Sequence, residues 1–244
     1  MHTFGLIGYP LSHSFSKKYF TEKFKQAGLS DCEFLNFPIE DIDRLPDVIK
    51  DNATLCGLSI TIPHKERVME LLDEVDEAAK NIGAVNCIRI NRDSSSLKLT
   101  GYNTDIFGFE VSLKPLLKNH HTHALILGTG GAAKAVAYIL NISKIKFRFV
   151  SRNKSNLAYS VLNRSIVEEY SLIINTTPMG MFPNTNTCPD IPYEFLSSKH
   201  LLYDLTYNPE ESLFLKKGKE RGAQIKNGLE MLHLQAEKAW EIWT

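Results

Sequence analysis

The stretch "LILGTGGAAKAVAYIL", residues 125–140, constrains the fold most tightly. A short apolar run leads directly into Gly128, Gly130 and Gly131, and a run with helical apolar spacing follows. That is a buried strand, a tight turn and a helix. Glycines let the backbone turn sharply and approach a ligand closely. The helix N-terminus then offers free N–H groups and partial positive charge to a pyrophosphate. The same glycines would also serve a tight turn with no ligand. The flanking strand and helix, and the strand-like "IKFRFVSR" that follows, favour the dinucleotide site.

The end of that next strand bears on which dinucleotide. A site for the unphosphorylated cofactor usually carries an acid there for the ribose hydroxyls. This chain has Arg152, then Lys154, and no acid in "SRNK". A guanidinium binds phosphate oxygens bidentately, so the local chemistry points to NADP. Only "RNKSN" separates this strand from the apolar "LAYSV". A helical crossover needs a dozen or more residues. If "LAYSV" is a strand, the unit lacks its helix and the adenine side is open.

The 244 residues suffice for one large domain or two modest ones. Before the glycine turn, strand-like and helix-like stretches alternate, which implies an α/β layer with a largely parallel sheet. "AVNCIRINR" and "LKLTGYN" read as a hairpin around "NRDSSS". The expected division is residues 1–103 and 104–227, with a last helix over 228–244 packing back near the first. Basic and acidic residues number 28 each, so no charge excess favours nucleic acid or an anionic membrane. There is no long apolar span or signal-peptide pattern. The four cysteines form no C-x-x-C pair, which fits reduced thiols and a cytoplasmic protein.

Several polar residues stand out in the first half. In "SITIPHKERV", Pro63 suits the first turn of a helix. Lys65 would then sit at the positive end of that helix, where a cation is disfavoured. Such a placement suggests service as a proton donor and acceptor; the alternative is an ammonium that reaches water or a structural partner. Ser14 and Ser16, two apart after a strand, could bind a polyhydroxy or carboxylate ligand, although one of them also suits a helix cap. Asn86 lies among apolar residues and needs partners, so it fixes a turn or binds a ligand. Thr104 and Asp105 open a helix, where an acid is also stabilising without any ligand. Gln235 interrupts the apolar stripe of Met231, Leu232 and Ala239, and a bound hydroxyl or a nearby backbone group would satisfy it.

Other features are blander. His120, His121 and His123 sit in a polar loop without an evident ligand set, so no metal is expected. "LLDEVDEAA" reads as a solvated acidic helix face. Trp240 and Trp243 read as core or interface.

Together, "GYPLSHSFS", "SITIPHK", "GAVN", "GYNTDIFGF", "GTGGAAKA", "INTTPMGM", "YDLTYNP" and "NGLEMLHLQA" resemble the shikimate dehydrogenase family, in its order and over nearly the whole chain. The resemblance implies a two-domain α/β protein: an N-terminal α/β substrate domain, a C-terminal Rossmann-like NADP-binding domain, and an active site in the cleft between them. It implies reversible reduction of 3-dehydroshikimate to shikimate with NADPH, in aromatic amino-acid biosynthesis. Lys65 and Asp105 would be the catalytic pair, also touching substrate. Ser14, Ser16, Thr61, Asn86, Tyr207 and Gln235 would bind substrate. Gly128, Gly130, Gly131 and Ala132 would take the pyrophosphate side of the cofactor. Ser151, Arg152, Thr176 and Gly228 would complete its site, with Arg152 on the 2′-phosphate. The partners implied are small molecules alone, with no nucleic acid or membrane, and the assembly a monomer or homodimer.

The chain departs from the family's pattern at Ser59, where Asn is usual, and in a shorter segment after Arg152. It also ends at Thr244, where many relatives continue into a further helix. Alternatives are a quinate/shikimate dehydrogenase using NAD, an enzyme for an amino-substituted shikimate, and a dinucleotide-binding regulatory module without turnover.

Overall fold

The computed structural model describes residues 1–11, 15–93 and 96–244. The chain forms two compact units, Met1–Thr104 with Ala236–Thr244, and Asp105–Gln235.

The first unit contains β1 (His2–Gly8), α1 (Phe15–Gln26), β2 (Cys32–Pro38), α2 (Leu45–Asp51) and β3 (Leu55–Ile60). The two-residue β4 (Glu74–Val75), α3 (Glu77–Ile82), β5 (Cys87–Arg92) and β6 (Leu97–Tyr102) complete it. The sheet order is β2-β1-β3-β5-β6-β4. β1 runs parallel to β2 and β3, whereas β5 is antiparallel to both β3 and β6. One core packs Ile7, Leu58, Ile60 and Ile88 against Leu45 and Ile49 of α2.

The second unit holds α4 (Asp105–Leu113), β7 (His123–Leu127), α5 (Gly131–Ile142), β8 (Lys146–Val150) and α6 (Arg164–Glu169). It continues with β9 (Leu172–Asn175), β10 (Leu201–Asp204), α7 (Leu213–Glu220), β11 (Gln224–Lys226) and α8 (Leu229–Trp243). Its five strands run parallel in the order β8-β7-β9-β10-β11. β9 and β10 are buried along their whole length, as in a parallel sheet covered on both faces.

The unit boundary falls inside α8. Met231 joins the core built on β7, β9 and α5. Ala236, Ala239 and Trp243 join the aromatic cluster of Phe4, Phe20, Phe24 and Phe34. Trp243 stacks on Phe4 and donates its indole N–H to the Ile88 carbonyl at 3.0 Å. The last helix is therefore docked by its own indole. Trp240 packs on Phe4 and Phe24 in the same cluster.

Two expectations need correction. No α-helix begins at Pro63: residues 61–66 are turns, followed by a 3-10 segment, Arg67–Leu71. The reason lies in where the backbone bonds go. The Thr61 N–H donates to Ile7, and the Lys65 carbonyl accepts from Val85 at 2.7 Å instead of from the next helical turn. Lys65 is therefore not in the first turn of an α-helix, and the acidic run "LLDEVDEAA" is split among a 3-10 segment, β4 and α3. The second correction concerns "LAYSV". It makes one bridge, Leu157 to Val150, then a 3-10 turn, and the crossover to β9 has its helix in α6.

Candidate active site

Register brings the first unit's polar residues to one end of its sheet. β1 and β3 are parallel, so Gly8 and Ile60 end together. Ser59 pairs with Cys87, so β5 starts at that end, and Cys87 pairs with Tyr102, so β6 finishes there. The loops after β1, β3 and β6 and before β5 thus converge. They carry Thr61 and Lys65, Asn86, and Thr104 followed by Asp105. Ser16 is the second residue of α1, inside the helix and not its cap. Ser14 lies outside the described residues.

Asn86 is buried and knits this end together. Its Oδ1 accepts from the Thr104 N–H at 2.6 Å, and its Nδ2 donates to the Thr104 hydroxyl at 3.0 Å. Asn103 donates its amide to the Ala84 carbonyl at 2.9 Å, while its own Oδ1 is buried without a hydrogen-bond partner. The turn that launches α4 is therefore held from two sides. Asp105, 6% exposed, is the first residue of that helix. Lys65 and Thr61 are half-buried.

In the second unit, all parallel strands end on one side. The strand order reverses at β7, with β8 on one flank and β9 on the other, which places a crevice beyond the strand ends. Gly128 has φ +110°, a conformation that favours glycine, and a Cβ there would meet Thr176 Oγ1 at 2.7 Å. Thr176 donates its N–H and hydroxyl to the Leu127 carbonyl at 3.0 and 2.7 Å, so the β9 loop walls the glycine turn. Among the described residues, none comes near the open side of Gly130 and no side chain caps α5. The N-terminal N–H groups of Gly131 and Ala132 therefore remain for an anion. Ser151, just past β8, accepts from the Asn153 N–H and the Asn156 amide, and Arg152 between them is exposed. An uncapped helix start, an open glycine and an exposed arginine at the neighbouring strand end fit a phosphorylated dinucleotide.

Tyr207 follows β10 and is half-buried, which pushes its phenol pKa up. Gly228 lies against that loop: a Cβ there would meet the Leu205 carbonyl oxygen at 2.1 Å, and its N–H donates to Thr206. Both the N–H and the carbonyl of Gly228 are used within the chain, so it buttresses the Tyr207 loop. Gln235 donates to the Leu232 carbonyl at 2.9 Å, a local backbone bond. His120 and His121 each reach the Lys199 carbonyl. Among the described residues, no three His, Cys, Asp or Glu side chains gather to hold a metal ion. No helix among them is long and apolar enough to cross a membrane.

Sequence reasoning passes over Asn175, Asp204 and Ser212. Asp204 is fully buried, and its carboxylate accepts from the Asn175 amide, the Thr206 N–H and the Ser212 hydroxyl. Burial pushes its pKa up to about 6 against those hydrogen bonds. The available signal was a polar residue closing each of two apolar runs, "LIIN" and "LLYD".

A family model described as the shikimate dehydrogenase substrate binding domain matches residues 6–88. A shikimate dehydrogenase (NADP(+)) of Desulforamulus reducens is 36% identical over 98% of this chain and 89% of its own. The shikimate dehydrogenase of Aquifex aeolicus superposes with a TM-score of 0.86 at 32% identity, covering 100% of this chain and 92% of that one. The enzyme of Thermus thermophilus, solved with NADP(H) and shikimate, gives 0.83 at 28% identity, with coverage of 100% and 94%. With similarity running through both units and nearly end to end, the chain belongs to the shikimate dehydrogenase family.

Proposed function

We propose that this protein is an NADP-dependent oxidoreductase that reversibly reduces 3-dehydroshikimate to shikimate, with Lys65 and Asp105 as its acid–base pair. The observation that carries the proposal is the convergence of Thr61, Lys65, Asn86 and the Thr104–Asp105 turn at one sheet end. Bound NADPH supplies the hydride. The substrate oxygen then needs a proton, which Lys65 donates; in the oxidative direction Lys65 accepts it. Asp105 orients the ammonium and accepts a substrate hydroxyl. Asn86 holds the turn that aims Asp105 and also touches substrate. Ser14, Ser16, Thr61, Tyr207 and Gln235 supply the other polar contacts of a polyhydroxy acid. Arg152 binds the 2′-phosphate, and the N-terminus of α5 binds the pyrophosphate.

The protein works on small molecules as a monomer or homodimer in the cytoplasm, in keeping with its four free cysteines. The pair is tested by Lys65→Met. General acid–base catalysis contributes about a hundredfold or more, so kcat should fall by that factor with shikimate affinity nearly kept. A Lys65→Met protein with near-normal kcat would refute the assignment.

A further inference from the structure

We infer that Asp204 is a positioning residue for the reaction: its buried carboxylate is the shared charged acceptor that ties down the Thr176 and Tyr207 loops. This rests on the dehydrogenase assignment above.

A carboxylate only accepts hydrogen bonds. Asp204 Oδ1 accepts from Asn175 Nδ2 at 3.0 Å, and the same Nδ2 donates to the Met179 carbonyl at 3.3 Å. Asn175 Oδ1 faces the other way and accepts from the Thr177 N–H at 3.0 Å and its hydroxyl at 2.7 Å. The β9 loop is wound around this oriented amide. Its Thr176 sits against Gly128, so the chain of contacts runs from Asp204 to the glycine turn.

The same carboxylate governs the β10 loop. Its Oδ1 also accepts from the Thr206 N–H at 3.0 Å, one residue before Tyr207. Its Oδ2 accepts from the Ser212 hydroxyl, whose oxygen caps α7 through the Leu215 N–H. Thr206 in turn accepts from Gly228. One fully buried group thus joins the ends of β9 and β10 to the start of α7. A neutral, well-packed group would be cheaper to bury there. An asparagine has the same shape, but it is neutral, so it weakens together the charge-assisted bonds from Asn175, Thr206 and Ser212.

The test uses the full chain as wild type, Asp204→Asn and Ser212→Ala. Thermal melting reports folding, and calorimetric titration with NADP gives its Kd. Shikimate oxidation gives kcat and the KM of each substrate. Asp204→Asn should melt no lower than wild type, yet its Kd and KM for NADP should rise about tenfold or more, the scale of one hydrogen bond to a charged group. Ser212→Ala, which leaves Asn175 bound, should shift them less. Should Asp204→Asn not fold, Ser212→Ala decides: a rise in the NADP Kd of about threefold or more supports the role. Folded variants with wild-type Kd and KM would overturn it. A wild type that binds NADP but oxidises no shikimate would refute the dehydrogenase assignment, and the Kd comparison would still judge Asp204.

Discussion

The pKa of Asp204 makes a stability prediction with a definite sign. Burial raises it from the ordinary 3.8 to about 6, despite the hydrogen bonds from Ser212, Thr206 and Asn175 that pull it down. Below about pH 4 the carboxyl is protonated in both the folded and the unfolded chain. Between about pH 4 and 6 the unfolded chain releases the proton while the folded chain keeps it, so stability falls as pH rises. Above the folded value the loss is complete. The shift corresponds to about 3 kcal/mol, an order-of-magnitude figure. Asp204→Asn removes this titration and little else in shape. Urea denaturation of both proteins without cofactor, at steps from about pH 4 to 8, gives the difference in stability at each pH. Carboxylates elsewhere cancel in that difference. The variant should gain on wild type by about 3 kcal/mol across the range, with the change centred between about pH 4 and 6. A difference that stays flat, or one that moves against the variant as pH rises, would mean that the hydrogen bonds outweigh burial and would refute the reasoning.

Trp243→Ala should cost about 3–5 kcal/mol in urea denaturation, because it empties the centre of an aromatic cluster and leaves the Ile88 carbonyl without its indole donor. Arg152→Ala should raise the KM for NADP about tenfold to a hundredfold and leave the KM for NAD nearly unchanged; equal effects on both cofactors would remove the 2′-phosphate from its role.

Much of the fold was legible in the chain because local rules and tertiary packing agree there. The apolar runs of β7, β9 and β10 are strands because both sheet faces are covered, and the "NRDSSS" interruption separates β5 from β6. The segment after Pro63 was misread because proline position and acidic spacing speak only of local preference. The Lys65 carbonyl instead answers to Val85, twenty residues on, which no local rule reports. Lys65 stood out only through a helix start that does not form, and Asp105 opens α4, where an acid is ordinary, so both are singled out by the family's motifs and not by their local pattern. The Asp204 network was not legible, since its members come from three elements and each alone passes for an ordinary turn residue.

The most direct test of the assigned activity is nicotinamide absorbance in a four-way assay of the wild type: shikimate or quinate, each with NADP or NAD. Rapid turnover is expected with shikimate and NADP, and far slower turnover in the other three combinations. Comparable rates with quinate or NAD, or no turnover at all from folded protein, would contradict it.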